Sequence, residues 1–143
     1  MQKYIKMAEK YALDHKFDEG LEYFLCALIV RGGSVISVGF NKKPTNTFVE
    51  HYADIARGKR DYCMSTHAEL DAICKVRTKI DLRGTKLFVA RIKPSGGMGM
   101  GMPCIICQHV LFNYGIRKAY YSIDDQNYGI MKVVNPAKEF QEK

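Results

Sequence analysis

Apolar and polar positions along this chain fall into blocks whose period changes several times. Residues 2–14 place Tyr4, Ala8, Tyr11 and Ala12 on one face at helical spacing, which predicts an amphipathic helix. Phe24-Leu25-Cys26-Ala27-Leu28-Ile29-Val30 is a continuous apolar run, the pattern of a strand covered on both sides. Arg31-Gly32-Gly33-Ser34 supplies a hairpin turn, and Val35–Asn41 returns as the partner strand. Residues 42–65 have no comparable pattern. A connection of that length is unusual inside a compact domain and marks a candidate functional loop, with a short helix predicted over Phe48–Arg57.

Periodicity resumes at residues 67–78, where Leu70, Ile73, Cys74 and Arg77 follow a helical repeat and Cys74 is expected in the core. Arg83-Gly84 ends the next connection, and Thr85–Ile92 alternates and branches like a strand. Pro94–Met102 then carries four glycines and three methionines. Glycine allows close backbone approach and methionine gives an adaptable apolar lining, so the segment reads either as a lid or as an insertion with some ligand contact, the second being preferred. Cys104–Tyr114 predicts a second helix closed by Gly115, and Ile116–Ser122 a further strand. Asp124-Asp125-Gln126-Asn127 forms a turn, after which Tyr128–Val134 reads as a last strand ending at Asn135-Pro136. A parallel pair needs a crossover of about a dozen residues, which the stretch from Ile123 to Asn127 cannot supply. The last two strands are therefore expected to form an antiparallel hairpin.

The chain's 143 residues suit a single domain, 1–143, with a sizeable core. A hydrophobic content of 47% and a charged content of 26% are ordinary for a globular protein. The five cysteines form no regular framework, and no apolar leader-like segment precedes the first helix. A reducing, cytoplasmic setting is expected, with no membrane span. The net charge of +7 favours an anionic partner, a nucleotide phosphate or a nucleic acid, as readily as it suits a basic surface held in solution. Lys42, Lys43, Arg57, Lys59 and Arg60 lie near His51 and Tyr52 in the long connection. They could hold a phosphate or a single strand, or simply be a solvated face.

The chemistry concentrates in Thr66-His67-Ala68-Glu69 and Pro103-Cys104-Ile105-Ile106-Cys107. One imidazole and two thiols make three zinc ligands, which is the count of a catalytic site that keeps one position open. Cys104 and Cys107 are one helical turn apart and share a face. Pro103 suits the first position of their helix, and Ser65 or Thr66 would cap the helix of His67. His67 and Glu69 then lie in a first turn about 200° apart, so Glu69 reaches over the helix end as a proton carrier rather than as a ligand. His15 and His51 are expected to hold no metal.

With these residues the chain resembles the zinc-dependent cytidine/deoxycytidylate deaminase superfamily, whose signature is H-x-E…P-C-x-x-C. The resemblance spans about residues 21–134 and implies a three-layer α/β/α cytidine deaminase-like fold with a mixed five-stranded sheet. It implies Zn²⁺ on His67, Cys104 and Cys107, with Glu69 as proton shuttle. It implies that the Ala68 backbone N–H holds the base carbonyl, that the Met102 carbonyl lies near the leaving amine, and that Asn41 bonds the sugar. For Asn41, a plain strand-ending role stands beside that one. Tyr120, Tyr121 and Tyr128 are candidates to stack on a base, or core residues. The hairpin end resembles cytidine deaminases proper, although these usually have Cys where His67 stands. The expected reaction is hydrolytic deamination of cytosine in a free pyrimidine nucleotide or nucleoside, of deoxycytidylate type. A nucleic-acid deaminase, a deaminase of guanine or adenine, and a non-catalytic zinc-stabilised module are the alternatives. Relatives of this kind imply a homo-oligomer.

Overall fold

The computed structural model describes residues 2–15, 24–41 and 67–134. The basic cluster of residues 42–60, the helix expected over Phe48–Arg57, the Ser65 and Thr66 caps and Asn135-Pro136 lie outside the described residues. Chain order is α1 (Gln2–His15), β1 (Phe24–Arg31), β2 (Ser34–Phe40), α2 (Ala68–Val76), β3 (Lys86–Ile92), β4 (Met98–Gly99), α3 (Ile105–Asn113), β5 (Lys118–Ser122) and β6 (Tyr128–Lys132).

The long strands form one mixed sheet in the order β2-β1-β3-β5-β6, with the short β4 beside β3. Only β3 and β5 run parallel, and α3 is the crossover between them. β5 and β6 pair antiparallel from Lys118↔Lys132 to Ser122↔Tyr128, the expected hairpin. The β1–β2 hairpin turns on Gly32 and Gly33, whose φ values of 54° and 83° are those of a two-residue type I′ turn.

β1 is apolar from Phe24 to Val30 because helices cover both its faces. Cys26, Leu28 and Val30 meet α1, together with Phe88, Ala90 and Ile92 of β3. Ala27 and Ile29 face the other way, with Leu87 and Val89, against α2 and α3. The result is the three-layer α/β/α arrangement expected from the resemblance. α1 buries Ile5, Ala8 and Ala12, while Tyr11, placed on the same face by its spacing, is exposed. The real stripe runs through Ile5. Full burial of one such side chain stabilises by about 1.5–3 kcal/mol.

Among the described residues no helix is long and apolar enough to cross a membrane.

Candidate active site

α2 and α3 both begin at the same end of the sheet, and each is capped by a ligand candidate. His67 is the N-cap of α2, with φ −76° and ψ 153°. Cys104 is the N-cap of α3, with φ −73° and ψ 173°. This corrects the expectation that His67 stands inside a first turn and Pro103 at a first helical position. Neither cap side chain bonds its own helix. Both turn instead toward each other and toward Cys107, in the first turn of α3.

His67 Nδ1 lies 3.3 Å from Cys107 Sγ and 3.4 Å from Cys104 Sγ, and the two sulfurs are 3.6 Å apart. Tetrahedral zinc with Zn–S of about 2.3 Å and Zn–N of about 2.0–2.1 Å needs edges of about 3.8 Å between sulfurs and about 3.5 Å between nitrogen and sulfur. The triangle agrees with those edges to within a few tenths of an ångström. One imidazole and two thiols is also the donor chemistry zinc prefers, so the three residues fit the ion.

Electrostatics separate the two thiols. Hydrogen bonding from Cys107, and then from His67, holds Cys104 far below an ordinary thiol, at about 4. Burial pushes Cys107 up, and its bond to Cys104 and the charge of Glu69 add to this. Glu69 is 3% exposed, and burial raises its pKa against the opposing pull of His67. Its carboxyl is in hydrogen-bonding contact with the Cys107 thiol. Such a raised, buried carboxyl beside a metal site is poised to exchange protons.

A cavity of about 280 Å³ opens on this cluster. His67, Ala68, Glu69 and Cys104 form one part of its lining. Asn41 and Met102 line it too. Asn41 is buried, and its Oδ1 accepts the Leu25 N–H at 2.8 Å, so the side chain both ends β2 and faces the cavity.

Tyr121 is a correction. It is absent from the cavity lining, and its ring covers Gly129 across the β5–β6 pair, where a β-carbon would stand 2.6 Å from the phenol oxygen. Tyr120 is buried on the α1 side, its ring stacked 4.6 Å from that of Phe88, with Tyr128 tilted against it. Strand parity decided this: Tyr120 falls on the face covered by α1. Cys74, expected in the core, is only half-buried.

The glycine–methionine segment is a built wall. Lys93 N–H bonds the Gly97 carbonyl at 2.8 Å, and Met98 and Gly99 pair back onto Ile92 and Arg91. Met98 enters the core on the α1 side, while Met100, Gly101 and Met102 line the cavity. The sequence reading missed Arg91 and Leu25 as lining residues. An arginine interrupting the apolar run Leu87–Ile92 was the available signal.

Comparison with known proteins agrees with this geometry. The model of the cytidine and deoxycytidylate deaminase zinc-binding region matches residues 1–123. The fold and the donor set therefore define a zinc-dependent hydrolase of the deaminase class. The chain belongs to the cytidine and deoxycytidylate deaminase zinc-binding family. A dCMP deaminase from the cyanophage S-TIM5, solved with dCMP and dUMP, is similar at 22% identity and a TM-score of 0.55, over 84% of this chain and 78% of that one. A cytidine deaminase from Burkholderia pseudomallei is 14% identical with a TM-score of 0.56, over 90% and 91%. One from Mycobacterium leprae is 15% identical with a TM-score of 0.52, over 87% and 91%. No curated protein sequence matches the chain.

Proposed function

We propose that this deaminase removes the C4 amine from cytosine in a free pyrimidine nucleotide, of deoxycytidylate type, giving the uracil product and ammonia. The observation that carries the reading is the contact of buried Glu69 with the His67, Cys104 and Cys107 cluster at the floor of a cavity suited to a small molecule. The similarity to an enzyme solved with dCMP and dUMP supports the choice of substrate.

Zinc, when bound, supplies a Lewis acid that makes water acidic enough to attack carbon near neutral pH. The chain's residues do the rest. Glu69 takes a proton from the attacking water and passes it to N3 of the ring. Once the water oxygen has bonded to C4, Glu69 takes the remaining proton of that hydroxyl and hands it to the exocyclic nitrogen, so the C4–N bond breaks as the C4 carbonyl forms. The Ala68 N–H is one of the amides a helix leaves unpaired at its start, and it is offered to the base carbonyl. The Met102 carbonyl accepts from the departing amine, and Asn41 holds the sugar. Burial of Glu69 limits competing water at the carboxyl.

The measurement is ammonia release by zinc-loaded protein from cytosine, guanine and adenine, their nucleosides and mono- and triphosphates, single-stranded DNA and tRNA. Release from deoxycytidylate above all others is expected; release only from guanine or adenine compounds sinks the reading. The net charge of +7 keeps a nucleic-acid substrate as the second reading, for which oligonucleotide binding would weaken steeply with salt. Self-association and a cytoplasmic location belong to the same proposal. The exposure of Ile130 on the edge strand β6 supports the first, and Cys26 and Cys74, outside the zinc site and in no disulfide, support the second.

A further inference from the structure

Among the described lining residues, Arg91 is a cation to which the deamination chemistry gives no role. Arg91 lies on β3, on the face that Leu87 and Val89 turn toward α2 and α3, and there it lines the cavity. Arg91 is half-buried at this point of the strand. The position is also tightly held. Arg91 N–H bonds Ser122 Oγ at 3.0 Å, and Ser122, fully buried, donates that hydroxyl to the Gly99 carbonyl at 2.7 Å. Ser122's own carbonyl accepts from Gly101 N–H at 2.8 Å. Asp125 Oδ1 accepts from Met98 N–H at 2.8 Å, which pins the same wall at its other end.

The neighbours of Arg91 tell which end of a substrate it meets. Its partner across the sheet is Leu25, and the Leu25 N–H is bonded to the Asn41 side chain. Asn41, Leu25 and Arg91 thus form one continuous stretch of the cavity lining. If Asn41 takes the sugar, the group attached to the sugar falls beside Arg91. A guanidinium is always charged and matches a phosphate with two parallel hydrogen bonds.

We propose that Arg91 is the specificity-determining residue that selects a nucleoside 5′-monophosphate over the uncharged nucleoside. The proposal rests on the pyrimidine reading above but is tested by binding, without turnover. Zinc-loaded full chain is titrated calorimetrically with dUMP and with deoxyuridine, at one salt concentration. Charge-assisted hydrogen bonds of this kind correspond to roughly a 10–100-fold preference for dUMP in the unaltered protein. Arg91→Gln brings the ratio of the two affinities to within about threefold, and Arg91→Lys leaves it between these values. An unaltered protein without preference, or an Arg91→Gln variant that keeps the original ratio, overturns the assignment. The ratio also separates this inference from the reaction: preference for dUMP without ammonia release refutes the deamination reading alone. Equal binding of both ligands with turnover of cytosine compounds refutes only Arg91.

Discussion

Gly39 of β2 and Ala72 of α2 are packed so closely that a β-carbon on Gly39 would stand 2.8 Å from the Ala72 Cα. Around this contact the helix is tied to the strand. Ser37 Oγ donates to the Ala72 carbonyl at 2.7 Å, Phe40 N–H to Asp71 Oδ2 at 3.0 Å, and Lys75 Nζ to the Val38 carbonyl at 2.8 Å. The start of α2, with His67 and Glu69, is therefore placed by β2. Gly39→Ala must push helix and strand apart, at a cost of about 1–3 kcal/mol or more. It should weaken zinc affinity as well, read by denaturant unfolding and zinc titration of the same preparation. A variant within about 0.5 kcal/mol of the parent would show that the contact yields freely.

Removing a ligand and removing the proton carrier should have different signatures. Cys104→Ser is expected to lose zinc on dialysis against a mild chelator. Glu69→Gln keeps the metal, and its turnover falls by about 10²–10⁴-fold. Zinc content by atomic emission, paired with ammonia release, separates the two. Turnover that persists in Glu69→Gln would remove the carboxyl from the mechanism.

Ser122 connects β3, β4 and β5 through a single hydroxyl. Ser122→Ala leaves the Arg91 N–H and the Gly99 carbonyl without that partner, a loss of about 1–3 kcal/mol. The wall carrying Met100 and Met102 should loosen, so KM rises more than kcat falls. Equal falls in kcat and kcat/KM with unchanged KM would contradict a role in shaping the cavity.

The turn between β5 and β6 predicts an acid limit. Backbone N–H of Gln126, then the Asn127 side chain, hold Asp124 below the usual value of 3.8. Because the folded pKa is the lower one, this contribution to stability is present above about 3.8. It is lost as pH falls through the folded value. Carbon-13 NMR of the carboxyl should place the Asp124 midpoint below that of a free aspartate. A midpoint at or above it would mean that the Asp124–Asn127 turn is not formed in solution.

Much of the site could be read from the residues. His67, Cys104 and Cys107 are named by their chemistry and spacing, and Glu69 by standing two positions from a ligand. The hairpin of β5 and β6 followed from chain length alone, since five residues cannot make a parallel crossover. The strand β1 was legible because both its faces are covered, which leaves an unbroken apolar run from Phe24 to Val30, and β3 by its alternation and branched side chains.

The sequence by itself determined the donor set, the order of the long strands and of the two site helices, and the class of chemistry, because these rest on residue type and local spacing; the short strand β4 was not among them. Tertiary structure decided which side chains share the cavity. A residue's face on a strand has period two, so Tyr121 and Arg91 depend on a register that long-range pairing sets. The cap positions of His67 and Cys104 were likewise fixed only when their side chains turned to a common centre instead of to their own helices.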